Sequence, residues 1–130
     1  MQQRVRPATK KELQEIIQQT IREKGDQCDL NFIDTSLIED MSFLFANMFT
    51  FNGNISEWDV SNVRDMRFMF YKAELFNGDL SRWNTSNVRS MKGMFALAKR
   101  FNGDISRWNV SNVRDMSYMF YYAESFNCGR

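Results

Sequence analysis

Two spacings of apolar residues alternate along this chain, and the alternation itself returns every 25 residues. Near the start only the helical spacing is present: Leu13, Ile16, Ile17 and Ile21 share one face at the helical period. Thr9-Lys10-Lys11-Glu12 reads as a capping box, with the Thr9 hydroxyl accepting from a backbone N–H and Glu12 reaching back. Gly25 offers a stop, so the segment predicts a helix over 10–24. From Phe51 onward the pattern is compound. Ile55-x-x-Trp58-x-Val60 has the alternation of a short strand, and Val63, Met66, Met69, Phe70 and Ala73 then fall on one helical face. Asn62 is placed to cap that helix and Asp65 to sit in its first turn, which predicts a helix over 62–73. Leu80, Trp83 and Thr85, then Ile105, Trp108 and Val110, repeat the strand pattern. Asn52-Gly53, Asn77-Gly78 and Asn102-Gly103 supply the returning turns.

The copies at 51–75 and 101–125 agree at 18 of 25 positions, which excludes coincidence. Residues 26–50 form a divergent first copy, in which Leu30 falls on Ile55, Ile33 on Trp58, Ile38 on Val63, Met41 on Met66, Leu44 on Met69, Phe45 on Phe70 and Met48 on Ala73. A constant period of this size predicts units that bury their apolar faces against one another. The expected fold is therefore an α/β solenoid, a leucine-rich-repeat-like right-handed stack of short parallel strands and short helices with an N-terminal capping helix. Its expected divisions are a tail and capping helix at 1–25 and a repeat solenoid at 26–130. The latter comprises the divergent repeat 26–50, repeats 51–75, 76–100 and 101–125, and the start of a fifth at 126–130.

The long pattern Trp58-Asp59-Val60-Ser61-Asn62-Val63-x-Asp65-Met66-x-x-Met69-Phe70-x-x-Ala73-x-x-Phe76-Asn77 resembles the BspA-like surface-protein repeat, which is also abundant in mycoplasma lipoproteins of uncharacterised role. The resemblance covers about residues 26–130. It implies a bacterial or mycoplasmal origin, a leucine-rich-repeat-like fold and a role in adhesion or host contact at the cell surface, with a protein or surface glycoprotein as partner. It implies no catalytic residues.

Composition narrows the chemistry. The chain has 43% hydrophobic and 25% charged residues, as a folded domain does. Net charge is +1, from 17 basic and 16 acidic residues, which argues against a nucleic-acid partner. No apolar run reaches the ~20 residues of a membrane span. The charged first 25 residues lack the apolar region of a signal peptide, which leaves a cytoplasmic location open beside the surface one. Histidine is absent, and with it the commonest general base and metal ligand. No nucleophile–base constellation is recognisable. The expectation is a non-enzymatic interaction module without cofactor or metal. The alternative is a structural spacer or a fragment of a longer array. Cys28 and Cys128 lie four repeats apart, about 19 Å at ~4.8 Å per repeat. That exceeds the reach of a disulfide, so two free thiols are expected.

Candidate binding residues follow from the outward positions. On the helical wheel these read Arg64, Phe68, Tyr71 and Leu75, then Arg89, Gly93, Ala96 and Arg100, then Arg114, Tyr118, Tyr121 and Ser125. This predicts two aromatic ridges, Phe68/Tyr71 and Tyr118/Tyr121, flanking a notch over Gly93 and Ala96. Arg64 would stack on Phe68 and Arg114 on Tyr118. The strand face offers Glu57, Asp59, Arg82, Asn84, Arg107 and Asn109. Trp58, Trp83 and Trp108, with Met66, Met91 and Met116, are expected in the core. Asp29, Asn54, Asp79 and Asp104 align before the strand. They read as Asx-turn residues in preference to a calcium ladder. The unfinished repeat leaves an apolar end to be covered by more repeats or by a partner subunit, self-association included.

Overall fold

The computed structural model describes residues 3–127. Among them one helix is present, α1 (Lys10–Lys24), at the position the capping signals predict. The Thr9 hydroxyl accepts from the Glu12 N–H at 3.2 Å, and the Gly25 N–H donates to the Ile21 carbonyl at 2.8 Å. Leu13 and Ile17 are fully buried against the first repeat, and Lys10 reaches Ser42 Oγ at 2.9 Å and Asp40 at 3.6 Å.

The repeats are not built as expected. The α/β solenoid of strands and helices is overturned: beyond α1 the described residues hold no helix and no sheet, only isolated parallel bridges such as Asp40↔Asp65, Asp65↔Ser90 and Ser90↔Asp115. Residues 62–73 are successive turns, and the hydrogen bonds give the reason. The N–H groups of Met69, Tyr71 and Ala73 donate three residues back, to Met66, Phe68 and Phe70. The alternating N–H groups of Met66, Phe68, Phe70 and Lys72 donate into the next repeat, to Ser90, Lys92, Met94 and Ala96, at 2.8 to 3.0 Å. Every second peptide unit is therefore turned away from any helical partner. Phe68 and Lys72 adopt φ +52° and +58°, which a right-handed helix does not admit. Turns of this length return side chains to one side at i, i+3 and i+4, so they copy the helical apolar pattern without the helix. The strand pattern is a turn as well, closed by Trp58 N–H to the Ile55 carbonyl at 3.2 Å.

The same bonds join 41–47 to 65–71 and 91–97 to 115–121, so four tiers lie in 25-residue register. Phenylalanines fill the interior in two columns. Phe45, Phe70, Phe95 and Phe120 stack at 5.5, 5.4 and 5.7 Å, with ring planes within 4°. Phe51, Phe76, Phe101 and Phe126 stack at 5.9, 6.1 and 6.0 Å beside them. Within a tier the two columns touch, as at Phe70–Phe76, 4.3 Å. Offset stacking of this kind adds about 0.5–1.5 kcal/mol per pair beyond burial. Trp58, Trp83 and Trp108 are buried, and each indole N–H donates to a carbonyl of the preceding tier at 2.9, 3.1 and 2.9 Å. Gly78 is needed because a Cβ there would lie 2.8 Å from the Phe76 ring. In the divergent first repeat Asp26 stands in place of that phenylalanine, and Cys28 is accepted at the glycine position. Cys28 is a buried free thiol whose pKa burial pushes up. Cys128, and with it the expectation about pairing, lies outside the described residues.

Asparagines tie the tiers from the side. Asn62, Asn87 and Asn112 amides donate to the Ser36, Ser61 and Ser86 carbonyls at 2.7, 2.6 and 2.6 Å, so Asn62 is a rivet between tiers and not a helix cap. Asn52, Asn77 and Asn102 accept from the N–H groups of Asn77, Asn102 and Asn127. Asx turns shape each tier. Asp29, Asn54, Asp79 and Asp104 accept from the N–H two residues on, at 2.8, 3.1, 2.9 and 3.0 Å. The serine hydroxyl and N–H of Ser81 hold the Asp79 carboxyl below its ordinary range, and those of Ser117 do the same for Asp115.

Two expected outcomes follow. A folded-state carboxyl pKa below the unfolded value contributes stability above about pH 3.9 and loses it as pH falls through the folded value. Asp79→Asn, which copies the natural Asn54, should change stability by less than about 0.5 kcal/mol at neutral pH and make the loss between pH 4 and 2 shallower, whereas Asp79→Ala should cost about 1 kcal/mol. Urea unfolding midpoints at both ends of that range measure this. Gly93 has φ +60°, and a Cβ there would lie 2.3 Å from the Phe68 ring. Gly93→Ala should therefore cost about 1–3 kcal/mol in the same assay.

Candidate functional site

The predicted notch is filled. Gly93 and Ala96 are buried because Phe68 lies over Gly93. Phe68 is itself half-buried, stacked on Phe43 at 5.2 Å and set edge-on to Tyr71 at 5.6 Å. The wheel placed Phe68 outward as on a helix, but the left-handed backbone at this column tilts it across the neighbouring tier. The cation over a ring is Lys72, 5.3 Å from the centre of Tyr71. Arg64 does not stack on Phe68, nor Arg114 on Tyr118. These two arginines meet Arg89 instead, around a small polar depression with Asn87 and Asn112.

The other ridge is open. Tyr118 is 64% and Tyr121 49% exposed, with rings edge-on at 5.8 Å. Tyr122, 64% exposed and 4.5 Å from Tyr121, joins them. The helical reading left it out because the wheel sets position 122 at the flank of the outward set, beside 118 but about 100° from 121. Its counterparts Lys72 and Leu97 share its left-handed backbone, at +58° against +50°, but no residue type common to the column marks it. Met116, expected in the core beside Met66 and Met91, is 42% exposed. Val110 is exposed as well.

Glu57, Arg82 and Arg107 form one exposed column, and Asp59, Asn84 and Asn109 another two residues away. All six are exposed, as the sequence predicts. The second column is occupied structurally: Asp59, Asn84 and Asn109 accept from the N–H groups of Ser61, Ser86 and Ser111 at 3.0, 3.1 and 3.0 Å. Oxygens of the Asp29, Asn54, Asp79 and Asp104 column are likewise engaged in their own turns, and no group of three His, Cys, Asp or Glu among the described residues could hold a metal ion.

The fourth tier carries a further feature. Its carbonyls at Asp115, Ser117, Met119 and Tyr121 accept from Met91, Gly93, Phe95 and Leu97 at 2.7 to 2.9 Å. The same four peptide units aim the N–H groups of Met116, Tyr118, Phe120 and Tyr122 the other way, and among the described residues these donors meet no acceptor. Peptide dipoles aligned in this way leave the donor end partly positive, as at a helix N-terminus. Periodicity alone could not reveal it, because it depends on the direction of each peptide plane.

Neither curated proteins nor solved structures give a match to the chain. The model of a family described as "Mycoplasma protein of unknown function, DUF285" matches residues 11–129. With α1 from Lys11 onward and all four tiers inside that match, the chain belongs to this bacterial family of uncharacterised function, DUF285.

Proposed function

We propose that the chain is a non-enzymatic protein-interaction module that docks an extended peptide segment on the edge formed by Met116, Tyr118, Phe120 and Tyr122. The observation that carries the reading is the row of four parallel N–H donors with no acceptor among the described residues, flanked by Tyr118, Tyr121 and Tyr122. An extended chain directs carbonyls to one side at every second residue, the same interval along the chain at which these donors recur. Tyrosine supplies apolar area with a polar tip, and is enriched at binding hot spots.

A second copy of the chain fits this edge poorly. Two such edges set face to face would oppose donor to donor. A head-to-tail contact would have to displace α1 from the first tier, where Leu13 and Ile17 are fully buried. On this reading the partner is a segment of another protein. The likeness of the repeat to BspA-like surface proteins favours an adhesion-type setting, with a host or surface protein as its source.

The test is a displayed library of random octapeptides selected on the purified chain, followed by amide exchange on the winners' complexes. Selected peptides should protect the amides of Met116, Tyr118, Phe120 and Tyr122, and Tyr118→Ala/Tyr121→Ala should weaken them at least about tenfold. Peptides that bind while leaving those four amides unprotected, or a library that yields none, would overturn the reading.

A further inference from the structure

Arg64, Arg89 and Arg114 occupy one position in three successive tiers. Their backbones are bonded directly, Arg89 N–H to the Arg64 carbonyl at 2.8 Å and Arg114 N–H to the Arg89 carbonyl at 2.7 Å. Neighbouring parallel bridges at Asp65, Ser90 and Asp115 hold the same register. Three guanidinium groups therefore leave the surface about one strand spacing apart, ~4.8 Å. Like charges so placed repel, and a neutralising partner within the chain would be expected. None of the ion pairs among the described residues involves these arginines; those pairs are Lys10–Asp40, Arg67–Asp65 and Lys99–Glu74. The carboxylate following Arg64 in the chain, Asp65, is held by Arg67, whose Nε lies 3.1 and 3.0 Å from its two oxygens. Glu39 holds the equivalent position in the first tier, at the Arg64 end of the column, and does not line the depression.

The three arginines line, with Asn87 and Asn112, an open surface depression of about 170 Å³ whose lining is polar throughout and contains no acid; all five residues are exposed. Asn87 and Asn112 are held by their bonds to the Ser61 and Ser86 carbonyls, which fixes that part of the lining. The volume is well below the ~300–1,000 Å³ of sites for drug-sized organic molecules. It suits one compact group. Guanidinium forks match the oxygens of phosphate and sulfate, and two or three forks can share one such group.

We propose that Arg64, Arg89 and Arg114 form a binding site for a single tetrahedral oxyanion, phosphate or sulfate, which bridges adjacent tiers and offsets their charge. The site is distinct from the open edge and does not depend on its function.

Thermal unfolding of the whole chain is followed while inorganic phosphate, sulfate or acetate replaces chloride at constant ionic strength, for wild type, Arg89→Gln and Arg114→Gln. Phosphate and sulfate also stabilise folded proteins generally by exclusion from their surface. That background is unsaturable and common to all three proteins. The site predicts a saturable rise in Tm for wild type with phosphate or sulfate, an apparent affinity at least tenfold weaker in each variant, and broadening of the phosphate phosphorus resonance by wild type alone. Saturation by phosphate only assigns a phosphoryl group, and by sulfate only a sulfo group. Both variants should melt at or above the wild-type temperature in chloride, because removing one cation relieves repulsion. Identical responses of wild type and variants, or equal saturation by acetate, would overturn the proposal.

Discussion

The structure depends on the orientation of alternate peptide units. In each tier, four of them stand along the direction of stacking, carbonyl toward the previous tier and N–H toward the next, while the peptides between them close turns within the tier. Neither regular helix nor regular sheet allows this division, because each assigns all its peptides to one kind of partner. The arrangement satisfies the backbone of a turn-rich chain without long elements. No buried side-chain nitrogen or oxygen among the described residues lacks a partner. It also demands left-handed residues at two columns, including Phe43, Phe68 and Tyr118, where bulky side chains are costly. Inter-tier bonds and the stacking of Phe43 on Phe68 offset that cost at the first two.

Directionality follows from the same constraint. Because all four units point one way, the two ends of the molecule differ in kind. The N-terminal end is closed by α1, whose Leu13 and Ile17 belong to the same core as Met41, Leu44 and Phe45. The fourth tier presents donors beside three tyrosines. The lateral surfaces differ as well. Most of their polar side chains are consumed by Asx turns and by the asparagine bonds between tiers, and are structural despite their exposure. The arginine column is the exception: its backbone is part of the architecture, but its guanidinium groups have no acidic partner among the described residues. A repeat multiplies whatever side chain stands at an exposed position, so one arginine per unit becomes a charge cluster in a chain whose net charge is only +1.

Among the candidate residues, those resting on repetition kept their meaning and those resting on helical geometry did not. Tyr118 and Tyr121 were found outward because nothing described packs beyond them. Gly93 and Ala96 were mistaken for a notch, since a helical wheel has no term for a ring that leans across from the preceding tier. Arg64 and Arg114 were paired with aromatics in their own tier, whereas the column pairs them with Arg89. Asp59, Asn84 and Asn109 were recognisable as exposed, but their engagement in turns required knowing where the N–H two residues on would point.

The sequence by itself determined the 25-residue register, the helix α1 with both its caps, the divergent first copy and nearly every core position. These rest on local capping chemistry and on which side chains avoid water, and both are written in the order of residue types. Only the tertiary structure decided that each repeat is made of turns. An i, i+3, i+4 apolar pattern is common to a helix and to consecutive turns, and the choice between them is made by hydrogen bonds to residues 24 positions away, which no local window contains. The open donor edge and the arginine-lined depression were decided with it, because both follow from peptide direction and stacking and not from periodicity.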